Sequence, residues 1–252
     1  MFELSVAVAI LAILAALLMA ALSGAMRRAR DLQCRSHLQQ HGVAILSFVG
    51  ENSAYPAVMD NGTVAGDRSV FPALARVLGP APKPDDYRKA GFRSVWTCPA
   101  GLRQHRPSDY PKTGGIPGSQ YGYNWWGLGR RAPGSAPLGL GGTQFNEQGW
   151  VVTPPVAESM VVSPSRMICM GDDVNGWNGV FRDAMATADR TPARDFHGST
   201  ERVKTRHAGK LNILSCDGHV DALPLGLLFS DTTDEGLSLW NRDHQPHRER
   251  LR

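Results

Sequence analysis

Phe2-Glu3-Leu4-Ser5-Val6-Ala7-Val8-Ala9-Ile10-Leu11-Ala12-Ile13-Leu14-Ala15-Ala16-Leu17-Leu18-Met19-Ala20-Ala21-Leu22 decides the architecture of this chain. From Leu4 to Leu22 no residue carries a charge; Glu3 precedes the run, and Arg27, Arg28 and Arg30 follow it. At about 1.5 Å per residue a helix over this run reaches roughly 28 Å, close to the thickness of the hydrocarbon layer of a bilayer. In lipid the backbone must satisfy its own hydrogen bonds, and a stretch of Ala, Leu, Ile and Val with no Pro or Gly before Gly24 does so as a helix. A carboxylate costs from about 2.5 kcal/mol upward at the centre of such a helix, so Glu3 at its edge is the first functional candidate. The alternative for this end is a cleaved secretory signal, since Ser23-Gly24-Ala25 offers the small residues a peptidase uses. Against it stand the apolar run, longer than the usual h-region of about 7–15 residues, and the lack of a basic stretch ahead of it.

Working outward, Cys34, Leu38, Gly42, Ile45, Leu46 and Val49 recur at helical spacing, so the helix continues amphipathically to about Val49 and lays a stripe on something apolar. Gly50, Asn52 and Tyr55-Pro56 end it. His37 and His41 lie four apart, but Leu38 stands where a zincin helix carries glutamate, and both read as exposed histidines. The division is a membrane half over 1–25, an amphipathic half over 26–50 and a globular head over 51–252. The net charge of +4 is spread along the chain, apart from the juxtamembrane arginines and an Arg-rich end. That distribution favours anionic lipid headgroups near Arg27, Arg28 and Arg30 and gives no ground for a nucleic-acid partner. The positive-inside rule alone would place the bulk of the chain in the cytoplasm.

Residues 51–150 are dense in Gly and Pro, and little regular structure is expected over 99–148. Val70–Leu78 reads as a short helix closed by Gly79-Pro80. The cluster Tyr121-Gly122-Tyr123-Asn124-Trp125-Trp126-Gly127 has two readings. Tyr121, Tyr123, Trp125 and Trp126 form a stacking surface for carbohydrate or a partner, or the rings cap a sheet short of other apolar mass; the second is preferred. Met167-Ile168-Cys169-Met170 reads as a buried strand ending at Gly171-Asp172-Asp173. Leu211–Cys216 and His219–Leu223 flank Asp217-Gly218, a hairpin signal, because Asp-Gly accepts the positive φ angles of a two-residue turn. That turn pairs Cys216 with His219, Leu214 with Asp221 and Ile213 with Ala222, and turns Leu211, Ile213, Val220 and Ala222 toward the long helix. The fold class is α+β: a long N-terminal helix packed on an antiparallel sheet with loop-rich insertions.

The cysteines Cys34, Cys98, Cys169 and Cys216 contain no C-x-x-C pair, and outside the cytoplasm they allow up to two disulfides. Cys169 and Cys216, each in an apolar run, read as buried small hydrophobes. Asp172, Asp173, Asp217, His207 and His219 can be drawn as a metal or hydrolase constellation. Asp217 has a sufficient role in its turn, and Asp173-Val174-Asn175-Gly176 lacks the alternation of a calcium loop. The sequence contains no nucleophile elbow, phosphate loop or metalloprotease helix, and enzymatic activity is not expected.

The leading segment with Glu3, the stretch Arg30-Asp31-Leu32-Gln33-Cys34-Arg35-Ser36-His37-Leu38-Gln39-Gln40, and His207 followed nine residues later by Asp217-Gly218 together resemble one family. They look like the type IV pilins and type II secretion pseudopilins that carry a prepilin-type N-terminal segment and an H-X9-DG domain, in the planctomycete and verrucomicrobial branch. Tyr121-Gly122-Tyr123-Asn124 and Leu239-Trp240-Asn241-Arg242-Asp243-His244-Gln245-Pro246-His247 are similar to segments of the same family, whereas 60–160 matches only in islands. The resemblance implies a single-pass inner-membrane protein with its head in the periplasm or on an extracellular filament. Copies of the chain and other pilin-like subunits would assemble through Phe2 and Glu3, after a prepilin peptidase and an assembly platform have acted. It implies a basic leader ending in Gly ahead of Phe2, structural roles for His207, Asp217 and Gly218, and a Cys34–Cys98 bridge. No cofactor is expected apart from a calcium ion, for which Asp172 and Asp173 are the first candidates. Two other functions stay open: a monomeric membrane-anchored carbohydrate- or ligand-binding domain, and a membrane-anchored metal-dependent hydrolase using His207 and the nearby acids.

Overall fold

The computed structural model describes residues 2–57, 69–83, 86, 92–101, 121–125, 127–128, 137–141, 144–145, 151–152, 154–172, 206–229 and 231–251. Helix α1 spans Phe2–Asn52 as one element of 51 residues. It runs through Gly50 and stops at Ser53, whose left-handed backbone (φ 52°) lets its N–H reach the Val49 carbonyl at 2.7 Å. Its two halves live in different surroundings. From Glu3 to Ala29 every residue but Gly24 is exposed, whereas Cys34, Leu38, His41, Gly42, Ala44, Ile45, Phe48 and Val49 are buried. The stripe therefore follows the expected spacing with two corrections. Leu46 lies outside it, 41 % exposed, and His41 lies inside it, fully buried.

Helix α2, Val70–Leu78, ends at Gly79 (φ 79°) as its sequence predicts, and packs Val70, Phe71, Ala73 and Leu74 against α1. Among the described residues the strands that follow are β1 (Tyr121–Tyr123), β2 (Gln144–Phe145), β3 (Val151–Val152), β4 (Ile168–Asp172), β5 (Lys210–Ser215) and β6 (Val220–Pro224). Strands β1, β4, β5 and β6 form an antiparallel sheet in the order β1-β4-β5-β6, and β2 pairs with β3 apart from it. This is the α+β arrangement expected from the sequence, a long apolar helix and a four-stranded antiparallel sheet.

The β5–β6 hairpin differs from its expected register by one residue. Leu214 faces Val220, Ile213 faces Asp221 and Asn212 faces Ala222. The Ser215 N–H donates to the His219 carbonyl, leaving the three residues Cys216, Asp217 and Gly218 in the turn, with Gly218 at φ 94°. A three-residue turn closing on a left-handed glycine is the usual alternative to the two-residue form. The slip reverses which β5 side chains meet the helix, while Val220 of β6 meets it as expected. Leu214, Cys216 and Val220 pack with Cys34, Leu38, Ile45, Trp96, Tyr121 and Met170 in the core beneath α1. Leu211 and Ile213 point to the opposite face, with Ile168, Leu228, Phe229, Leu237 and Trp240.

Two short helices cover that second face: α3 (Leu225–Phe229) and α4 (Asp234–Ser238), the latter capped by Thr233, whose hydroxyl accepts from the Gly236 N–H. Asn124 ties this layer to the sheet. Its amide donates to the Ile168 and Trp240 carbonyls at 2.7 and 2.9 Å, and its carbonyl oxygen accepts from Gly127.

Candidate functional site

Where the near face of the sheet meets the head-proximal half of α1, four groups distant in sequence converge. Asp31 and Cys34 sit three apart on α1 and so share a helix face. Cys98 comes from the turn after Trp96-Thr97, which Tyr121 and the α1 histidine His37 hold through the Thr97 carbonyl. Asp172 closes β4, and His207 lies in the Arg206–Ala208 turn that leads into β5. One ligand atom from each of Cys34, Cys98, Asp172 and His207 lies within 4.8 Å of the other three.

The contacts are specific. His207 Nε2 stands 3.3 Å from Cys98 Sγ and 3.3 Å from Asp172 Oδ2, and Cys34 Sγ is 3.3 Å from Asp172 Oδ1. On the other side of the ring, His207 Nδ1 is held at 2.8 Å by Asp31 Oδ1, which also accepts from the Asn212 side-chain amide. The Asn212 backbone N–H donates to Asp172 Oδ2 at 2.9 Å, and the Tyr121 hydroxyl lies 3.4 Å from Cys34 Sγ. His207, Ala208 and Gly209 have positive φ angles of 47°, 57° and 81°. A left-handed backbone costs a non-glycine residue about 1–2 kcal/mol, and here it turns the imidazole inward.

Burial pushes each group toward its neutral form, and the neighbours decide which of them yields. Burial lowers His207, but the Asp172 hydrogen bond, with Cys98 and the Asp172 charge, raises it to about 10. Burial also raises Asp172, and the hydrogen bond and charge of His207, with Arg206 and the Asn212 amide, overcome this and hold the carboxyl below its ordinary value. Cys34 goes well above its ordinary value, through burial first and then Cys98 and Asp172. Cys98 goes the other way, to about 6, because hydrogen bonds from Cys34 and His207 outweigh its burial. The cluster thus holds one thiol of each disposition. It is sealed: Cys34, Cys98 and Asp172 are 0 % exposed and the His207 side chain 2 %.

The site residues named from sequence fall into separate places. His207 and Asp172 are in the cluster, but Asp217 and His219 are not. The exposed His219 ring is paired with Asp217 at 2.6 Å and Asp221 at 3.1 Å, so the drawn constellation is split between the two ends of the hairpin. Gly218 takes the turn position assigned to it. Tyr121 and Tyr123 are buried, their hydroxyls on Cys34 and on the Pro56 carbonyl, and are interior rather than a stacking surface; the half-buried Trp125 packs against the same core. Trp126 and Asp173 lie outside the described residues, as does the side chain of Phe2. Glu3 is exposed on the first turn of α1.

All four thiols are free and buried, Cys34 beside Cys98 and Cys169 beside Cys216. A calcium ion wants six to eight hard oxygen donors, and the two sulfurs and an imidazole around Asp172 do not suit it. Asp31 and Asn212 carried no sequence signal of their own. Asp31 lies far along the chain from both His207 and Asp172 and is brought in by the packing of α1 on β5, whereas Asn212, five residues after His207, reaches Asp172 through the pairing of β4 with β5.

Among the described residues the chain combines a head of α+β architecture, one helix long and apolar enough to cross a membrane or to act as a signal sequence, and a sealed thiol–imidazole–carboxylate cluster where the trailing half of that helix packs on the head. Comparison with protein-family models, with curated proteins and with solved structures finds no match.

Proposed function

We propose that the chain is a membrane-anchored subunit of a filament of the pilin and pseudopilin kind, with the leading half of α1 in the inner membrane and the head on its periplasmic side. The observation that carries the reading is a division within one unbroken helix. Its most apolar 18-residue stretch has no buried residue, while its trailing half forms the core of the head. Leu4, Leu11, Leu17, Leu18 and Met19 are each more than 60 % exposed. Apolar area left in water costs roughly 25 cal/mol per Å², so this surface calls for lipid or for copies of itself. A rod fixed to a rigid head serves both needs in turn, first as an anchor and then as the strand that stacks with its neighbours. Glu3 would lose its hydration in that stack, and a neighbour's terminal amine would offset the loss.

Cross-linking in native membranes tests the reading. The wild-type chain should give a ladder of multimers. Glu3→Ala should stay in the membrane fraction with a protease-resistant head but give monomers only. A Glu3→Ala ladder like that of the wild type, or a native polypeptide beginning near Met26, would refute it.

A further inference from the structure

We infer that Cys34, Cys98, Asp172 and His207 form a closed, structural zinc site that pins the membrane-proximal helix to the head. Zinc takes four ligands tetrahedrally, with bonds of about 2.3 Å to sulfur and about 2.0–2.2 Å to nitrogen and oxygen, which sets neighbouring donors roughly 3.3–3.8 Å apart. Cys98 Sγ and Asp172 Oδ2 each stand 3.3 Å from His207 Nε2, at the lower edge of that range, Cys34 Sγ is 3.3 Å from the other Asp172 oxygen, and one donor atom from each of the four residues lies within 4.8 Å of the other three. As an N–H···O hydrogen bond the 3.3 Å contact of His207 Nε2 with Asp172 Oδ2 is long, since such bonds centre near about 2.9–3.0 Å. Two thiols, one imidazole and one carboxylate are a donor set that suits zinc and not calcium or magnesium.

The surroundings of His207 add an independent argument. A metal-bound histidine gives its other ring nitrogen to a carboxylate or carbonyl, which sets the tautomer and the ring plane. Here Nδ1 is taken by Asp31 at 2.8 Å, and Nε2 points at both Cys98 and Asp172. Asp172 is oriented in the same way by the Asn212 backbone N–H. The left-handed His207 and Ala208 give the strain a purpose, because such outliers persist where the surroundings over-determine them. With no ligand atom open to water, the ion would join α1, the Cys98 turn, β4 and the entry to β5, without a catalytic role. The inference rests on the head alone and stands or falls apart from filament assembly.

The test uses the full chain in detergent, reduced and stripped with a chelator, then titrated with cobalt(II) and with zinc. Cobalt should saturate at one ion per chain, with the intense visible d–d bands of a tetrahedral site and thiolate charge-transfer absorption, and zinc should displace it. Cys169→Ser and Cys216→Ser, which alter the neighbouring thiol pair, should leave the spectrum unchanged, while Cys98→Ser should weaken the charge-transfer band and the double variant Cys34→Ser/Cys98→Ser should lose it. Asp31→Asn should bind about 10- to 100-fold more weakly with the same spectrum, as expected of a positioning residue. Wild-type chain that binds no cobalt, an octahedral spectrum, or a spectrum lost equally in the Cys169 or Cys216 variants would overturn the proposal. So would a Cys34–Cys98 disulfide in the protein as isolated from membranes, since it would consume both sulfur ligands. The wild-type titration decides the matter even where a variant fails to fold.

Discussion

At the scale of single residues, His41 shows most plainly how burial acts on this molecule. Its Nδ1 takes the His37 carbonyl at 2.8 Å, Nε2 finds no partner, and the ring stands edge-on to Trp96 and Tyr121. Burial lowers its pKa from 6.5 to about 4. The unfolded chain therefore binds a proton between those values that the folded head refuses, and stability is lost as pH falls from about 6.5 to 4. At 1.36 kcal/mol per unit the loss is about 3 kcal/mol. Urea melts at pH 7 and pH 4 should show that much less acid sensitivity in His41→Leu than in the wild type; equal sensitivity would remove His41 from the account. The sequence hid this role. A histidine four residues from another on a helix looks exposed until Trp96 and Tyr121, from distant segments, close over it. The cluster was half legible in the same sense: His207 and Asp172 could be drawn together and the resemblance implied that Cys34 and Cys98 meet, but the joining of the two pairs and the hold of Asp31 on His207 were not.

At the scale of elements, the β5–β6 turn is seated directly against α1. Gly218 is left-handed, and a Cβ there would come within 2.8 Å of Leu46 Cδ1 on α1. Gly42 answers from the helix side, its missing Cβ leaving room for Leu214 Cδ1 at 2.8 Å. Gly218→Ala should cost about 1–2 kcal/mol from the backbone alone, plus the displacement of Leu46. Chemical denaturation measures it, and a change under about 0.5 kcal/mol would mean that the turn converts to the two-residue form. Asp-Gly correctly marked a hairpin here, yet two- and three-residue turns both use it. The choice belongs to the cores on either side, since only one register puts Leu214 under α1 and Ile213 beside Phe229.

At the scale of the whole molecule, β5 is buried on both faces and couples the two cores. Trp240, 2 % exposed in the second core, packs on Phe229 with ring centroids 6.3 Å apart. Trp240→Ala should cost about 3–5 kcal/mol. The head should still unfold in one step, with the amides of Ile213 and Leu214 exchanging together; two separate transitions would show that the cores are independent.

What the sequence by itself determined is local and periodic: the apolar rod, its amphipathic continuation, α2 with its glycine stop, the β4 strand and the place of the hairpin. Each depends on residues near one another along the chain, where spacing and turn chemistry suffice. The tertiary structure alone decided the register of β5 on β6, the burial of His41, Tyr121 and Tyr123, and the meeting of Asp31, Cys34, Cys98, Asp172 and His207. Those features turn on which faces pack together, and packing free energy depends on contacts between segments far apart along the chain, such as His41 with Trp96 and Cys34 with Asp172, which no local pattern encodes.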